Sequence, residues 1–91
     1  MALCAINYDL TKPGQNYENL IEAIKAYPNW AHVLKSSWLV VSNSTATQIA
    51  NDLLKHIDAN DKLLVTRITN DVAWYGLDDE VSAWLKQVYA A

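Results

Sequence analysis

The sequence predicts one α+β domain in which an antiparallel sheet carries two helices on one face. Four short runs alternate or concentrate apolar residues as strands do: Leu3–Tyr8, Trp30–Leu34, Ser37–Ser42 and Lys62–Thr69. Two stretches with helical apolar spacing separate the first run from the second and the third from the fourth. The chain has 91 residues, 52% of them apolar, with four Trp, five Tyr and no Phe. A chain of that length buries roughly 60–65% of the surface it exposes when unfolded, enough for one core.

In Leu3–Tyr8, Cys4, Ile6 and Tyr8 fall on one side and Leu3, Ala5 and Asn7 on the other. A strand apolar on nearly both sides is expected in the middle of a sheet. Thr11–Gly14 breaks it, and Asn16 is the expected N-cap of a helix with Tyr17, Leu20, Ile21, Ile24 and Tyr27 on its apolar stripe. Pro28 stops that helix at or just after Tyr27.

The Val- and Trp-rich runs Trp30–Leu34 and Ser37–Ser42 read as a hairpin turning at Lys35-Ser36, the alternative being one long bulged strand. Asn43 or Ser44 is expected to cap a second helix with the stripe Ala46, Ile49, Ala50, Leu53, Leu54 and Ile57. The turn formers Asp58-Ala59-Asn60-Asp61 lead into Lys62–Thr69.

The resulting order, β-α-β-β-α-β, is that of the ferredoxin-like split βαβ arrangement. Right-handed crossovers then place the first and fourth strands side by side and the third against the first. The expected core spans about 3–69. Residues 70–91 form an extension: an aromatic run at Val72-Ala73-Trp74-Tyr75, a hinge at Gly76, and a helix opened by Asp78, Asp79 and Glu80 with the stripe Val81, Trp84, Leu85 and Val88. This tail would cover the open sheet face of its own subunit or of a partner.

Charge and composition narrow the function. The net charge is −3, and the seven basic residues are scattered rather than gathered into the stripe that grips duplex nucleic acid. No apolar run approaches the ~18 residues of a membrane span. The N-terminal MALCAINYDL has no basic region before its apolar stretch, so a cytoplasmic location and no membrane partner are expected. The single cysteine, Cys4, reads as core filler, and Asn43-Ser44-Thr45 as a coincidental glycosylation match. With two glycines in all, the chain has no glycine-rich phosphate loop.

The candidate site follows from topology. The end of the first strand lies beside the starts of the third and fourth, so Asp9 should neighbour Lys35, Ser36 and Ser37 on one side and Asp61 and Lys62 on the other. Mg²⁺ keeps several waters and needs only one or two carboxylates, so Asp9 from two subunits across a two-fold axis could hold one and activate a water. The plainer alternative is that Asp9 accepts hydrogen bonds from the backbone of Thr11–Gly14. His32 is a weaker general-base candidate, while His56 is expected to pair with Asp52 and the helix C-terminus. Trp38, Trp74 and Tyr75 suit packing, with base stacking as the alternative.

The strand-terminal Tyr8-Asp9-Leu10, the Lys35-Ser36-Ser37-Trp38-Leu39-Val40 segment and the element order resemble the small CRISPR-associated adaptation nucleases, Cas-two-like, and the related virulence-associated protein D. The likeness covers roughly residues 3–69 by element order and Tyr8, Asp9 and Ser37 by motif. It implies a homodimer in which Asp9 is the shared Mg²⁺ ligand of an RNA- or DNA-cleaving nuclease, with Ser37 in the catalytic site. Tyr8, Lys35, Ser36 and Lys62 would then contact substrate. A non-catalytic dimer that binds a nucleotide, nucleic acid or protein is the competing reading, and the acidic charge and sparse basic residues favour it.

Overall fold

A computed structural model describes residues 2–11 and 17–90. The elements are strand β1 (Ala2–Asp9), helix α1 (Glu18–Lys25), strands β2 (Asn29–Leu34) and β3 (Ser37–Ser42), helix α2 (Ala46–Leu53), strand β4 (Lys62–Ile68) and helix α3 (Asp79–Ala90). The four strands form one sheet in the order β2-β3-β1-β4, and every pairing is antiparallel.

The alternation read in β1 determines the two layers. Cys4 and Ile6 face Val40 and Trp38 of β3 and Arg67 and Val65 of β4, and this side carries α1 and α2. Leu20 and Ile24 of α1 and Ile49 and Leu53 of α2 are fully buried there. The opposite side, with Leu3 and Leu39, is covered by α3 through Leu85, which is 2% exposed. The extension therefore covers its own sheet. Its path is pinned by three bonds: Trp84 Nε1 donates to Asn29 Oδ1 (2.8 Å), Trp74 Nε1 to Ser82 Oγ (3.0 Å), and Tyr89 OH to the Thr69 carbonyl (3.2 Å). Gly76 has φ 75°, a conformation glycine reaches without a Cβ penalty, and it turns the chain toward α3.

Several local expectations change. Asn16, the expected cap of α1, lies outside the described residues, and Tyr17 is the residue flanking the helix. The cap of α2 is Thr45 rather than Asn43 or Ser44: its hydroxyl accepts from the Gln48 N–H (3.1 Å) while the Gln48 side chain accepts from the Thr45 N–H (2.9 Å). Two orphan donors are satisfied by this reciprocal pair, which a cap one or two residues earlier could not reach. After Leu53 the helix tightens into a 3₁₀ turn, Leu54–His56, which rotates Leu54 off the apolar stripe to 52% exposure.

The hairpin forms at Lys35-Ser36, with a register shift between His32 and Leu34. No non-glycine residue among those described has positive φ, so the turn does not use the primed geometry that favours two-residue loops. The bulge instead supplies the local change in twist. Cys4 is core filler, 1% exposed. No helix of the described residues is long and apolar enough to cross a membrane.

Candidate functional site

The pairing brings the residues singled out from sequence to one end of the sheet. Asn7 stands opposite Ser37, Asp9 opposite Lys62, and the Tyr8 N–H donates to the Ser36 carbonyl (3.1 Å), which draws the hairpin turn alongside β1. Strand alternation then divides them between the two sides. Ser37 Oγ donates to Asn7 Oδ1 at 2.6 Å on the α3 side, the side shared by Asp9 and Lys62. Tyr8 packs on the helix side, where its hydroxyl accepts from Trp38 Nε1 (3.0 Å).

Asp9 is exposed, and its carboxylate makes no hydrogen bond or ion pair with any described residue. A shallow depression of about 240 Å³ adjoins it, lined by Asn7, Tyr8, Lys62, Leu63 and Leu64 as well as Asp9. Lys35, Ser36 and Lys62 are also exposed. Among the described residues, no three or more His, Cys, Asp or Glu are grouped so as to hold a metal ion.

The carboxylate built into the fold is Asp61. Its Oδ1 accepts from the Thr11 N–H (2.9 Å), the Thr11 hydroxyl (3.0 Å) and the Tyr17 hydroxyl (3.2 Å), and its Oδ2 from the Asp58 N–H (2.9 Å). These donors, the Thr11 N–H foremost, hold its pKa below the usual carboxylate value of 3.8. The Thr11 N–H expected at Asp9 thus goes to Asp61, while residues 12–14 lie outside the described residues. Sequence placed Asp61 beside Asp9 but missed this role. The signal was the Asp58-to-Asp61 spacing, which suits a side chain that closes its own turn.

His32 stacks on Trp38, ring centroids 3.9 Å apart and planes 4° from parallel, with Nε2 3.2 Å from the Lys35 carbonyl. Trp38 is 2% exposed, so packing rather than base stacking is its role. Trp74 is half-buried and hydrogen-bonded, whereas Tyr75 is 98% exposed.

The expected His56–Asp52 pair does not form. The 3₁₀ turn breaks the i, i+4 relation, and Asp52 Oδ2 accepts instead from the Tyr27 hydroxyl (3.2 Å). Burial first, then the Asp52 charge and this bond, push the Tyr27 pKa up to about 12.

The chain matches no protein-family model and no curated protein.

Proposed function

We propose that the protein is a small Cas-two-like homodimer that uses Asp9 to hold a divalent cation, Mg²⁺, against an RNA or DNA phosphodiester. The observation that carries this reading is the contrast between two neighbouring carboxylates. Asp61 is saturated by donors from the fold, whereas Asp9, at the end of β1, accepts from no described residue and stands opposite Lys62. None of the described residues occupies the carboxylate that a ligand from outside the chain would need.

The fold reading is supported by the strand order β2-β3-β1-β4 with β1 antiparallel to both neighbours, which suits the ferredoxin-like split βαβ arrangement. A two-fold axis beside Asp9 would bring two Asp9 carboxylates together, as many as Mg²⁺ takes beside its waters. Leu64 and Leu34, 61% and 59% exposed, share the Asp9 side of the sheet through their register partners Asn7 and Ser37 and would be covered in that dimer. A cation held there would supply a water of lowered pKa as nucleophile, with Asp9 as its ligand. Lys62, Lys35 and Ser36 position the phosphate. Ser37 acts through Asn7, to which its hydroxyl is already donated, and Tyr8 supports Trp38. A cytoplasmic setting agrees with this substrate class.

A second reading, a non-catalytic dimeric module that binds a nucleotide, nucleic acid or protein, is favoured by the net charge of −3. Cleavage of RNA and DNA with Mg²⁺ or Mn²⁺, comparing wild type with Asp9→Ala, separates the two. Cleavage that disappears with Asp9 supports the first reading, and cleavage that survives removes it. Sedimentation tests the dimer separately, since a monomer at micromolar concentration leaves Asp9 without its symmetry mate.

A further inference from the structure

A cavity of about 830 Å³ opens between α3 and the sheet at the Ala2 end of β1, the opposite end from Asp9. Its volume falls within the roughly 300–1,000 Å³ of small-molecule sites. Leu3, Val41 and Ile68 give it an apolar floor. Trp84 and Tyr89 of α3 form part of the wall, and both polar tips are already engaged, Nε1 with Asn29 Oδ1 and the hydroxyl with the Thr69 carbonyl. Among the described residues, the lining contains no carboxylate, ammonium, guanidinium or imidazole side chain. An ionic ligand would leave its water there without a compensating charge from these side chains, which favours neutral ligands.

The remaining hydrogen-bonding capacity consists of amides. The Asn29 NH₂ is left as a donor because its oxygen is occupied by Trp84. Asn70 and Gln87 are exposed, line the cavity, and make no hydrogen bond with a described residue. A carboxamide presents a donor and an acceptor in one plane and pairs bidentately with the N6/N7 edge of adenine, while aromatic side chains offer faces on which a base stacks.

We infer that this cavity is a binding site for an uncharged purine nucleoside, with the Asn70 and Gln87 amides reading the base edge and Trp84 as its aromatic wall. The site is separate from Asp9 and does not depend on the function proposed for that end of the sheet.

Calorimetric titration of the full chain with adenosine, and with adenosine monophosphate as the charged comparator, tests it. Adenosine is expected to bind saturably at one site per chain, and the monophosphate no more tightly. Asn70→Ala and Gln87→Ala should each weaken adenosine by about tenfold, the loss of one bidentate pair. Both side chains are exposed, so the variants should keep the wild-type circular dichroism, and Asp9→Ala should bind adenosine as wild type does. Failure to saturate with adenosine, tighter binding of the monophosphate, or unchanged affinity in both amide variants would overturn the inference.

Discussion

The Asp61 carboxylate holds Thr11 across fifty positions of sequence, accepting both its backbone N–H and its hydroxyl through one oxygen. The contact joins the exit of β1 to the entrance of β4, and the Tyr17 hydroxyl brings the start of α1 to the same atom. Three segments are thus tied at the end of the sheet that presents Asp9. The knot takes the Thr11, Tyr17 and Asp58 donors for Asp61 and leaves none of them for Asp9.

Replacing Asp61 should destabilise the fold in a graded way. Asp61→Ala removes all four acceptor contacts, whereas Asp61→Asn keeps an oxygen for Thr11 and Tyr17 and sets an NH₂ against the Asp58 N–H. Urea midpoints at neutral pH should fall in the order wild type, Asn, Ala. The folded pKa lies below the ordinary 3.8, so the unfolded chain binds this proton first as pH falls. The contribution is present above the unfolded value and lost as pH drops through the folded one. Asp61→Asn should therefore show a flatter decline in stability across that window.

Tyr27 gives the opposite sign at the alkaline end. Its pKa is raised from 10.0 to about 12, so the unfolded phenol ionises while the folded one keeps its proton. The associated stability is complete below 10 and lost as pH rises toward 12. Phenolate absorbance should lose a component titrating at about 12 in Tyr27→Phe, and the variant's stability should fall less steeply over that range.

Thr45→Ala should cost about 1 kcal/mol, the usual value of an N-cap, while Thr45→Ser stays near wild type because its hydroxyl still reaches the Gln48 N–H. Chemical denaturation of the pair measures the difference.

Leu85→Ala tests the cover on the second sheet face. Leu85 is 2% exposed and packs with Leu3 and Leu39, so truncation should cost about 3 kcal/mol in a denaturant titration.

Ser37→Ala should lower stability by about 1 kcal/mol, the net value of its bond to Asn7. On the proposed nuclease function it should retain the cleavage that Asp9→Ala abolishes, because the Ser37 hydroxyl is held by Asn7.

What was legible in the sequence followed from periodicity. The apolar character of both sides of β1 identified it as an inner strand, and the stripes of α1 and α3 named the residues that are buried, Leu20, Ile24 and Leu85 among them. Proximity of Asp9 to Lys62 followed from connectivity, whereas the residue bonded to the Ser36 carbonyl is Tyr8 rather than the expected Asp9. Which hydrogen bonds form was not legible, because short polar side chains compete for the same donors. Ser44 and Thr45 are equally good caps by type, and the Gln48 side chain decides between them. Asp9 and Asp61 are equally good acceptors for Thr11, and the turn closed through the Asp58 N–H decides for Asp61. The 3₁₀ turn after Leu53 has no composition signal, so the lost His56 pairing could not be read either.

The central position of β1 has a consequence for synthesis. Ala2–Asp9 leaves the ribosome before either of its partners, since both of its ladders are made with strands translated later, Ser37–Ser42 and finally Lys62–Ile68. During elongation this segment carries an apolar residue on each side and has no hairpin mate of its own, so it is the aggregation-exposed part of the nascent chain. Folding is expected to complete only once β4 has emerged, and ribosome-bound chains halted before Lys62 should remain protease-sensitive throughout β1.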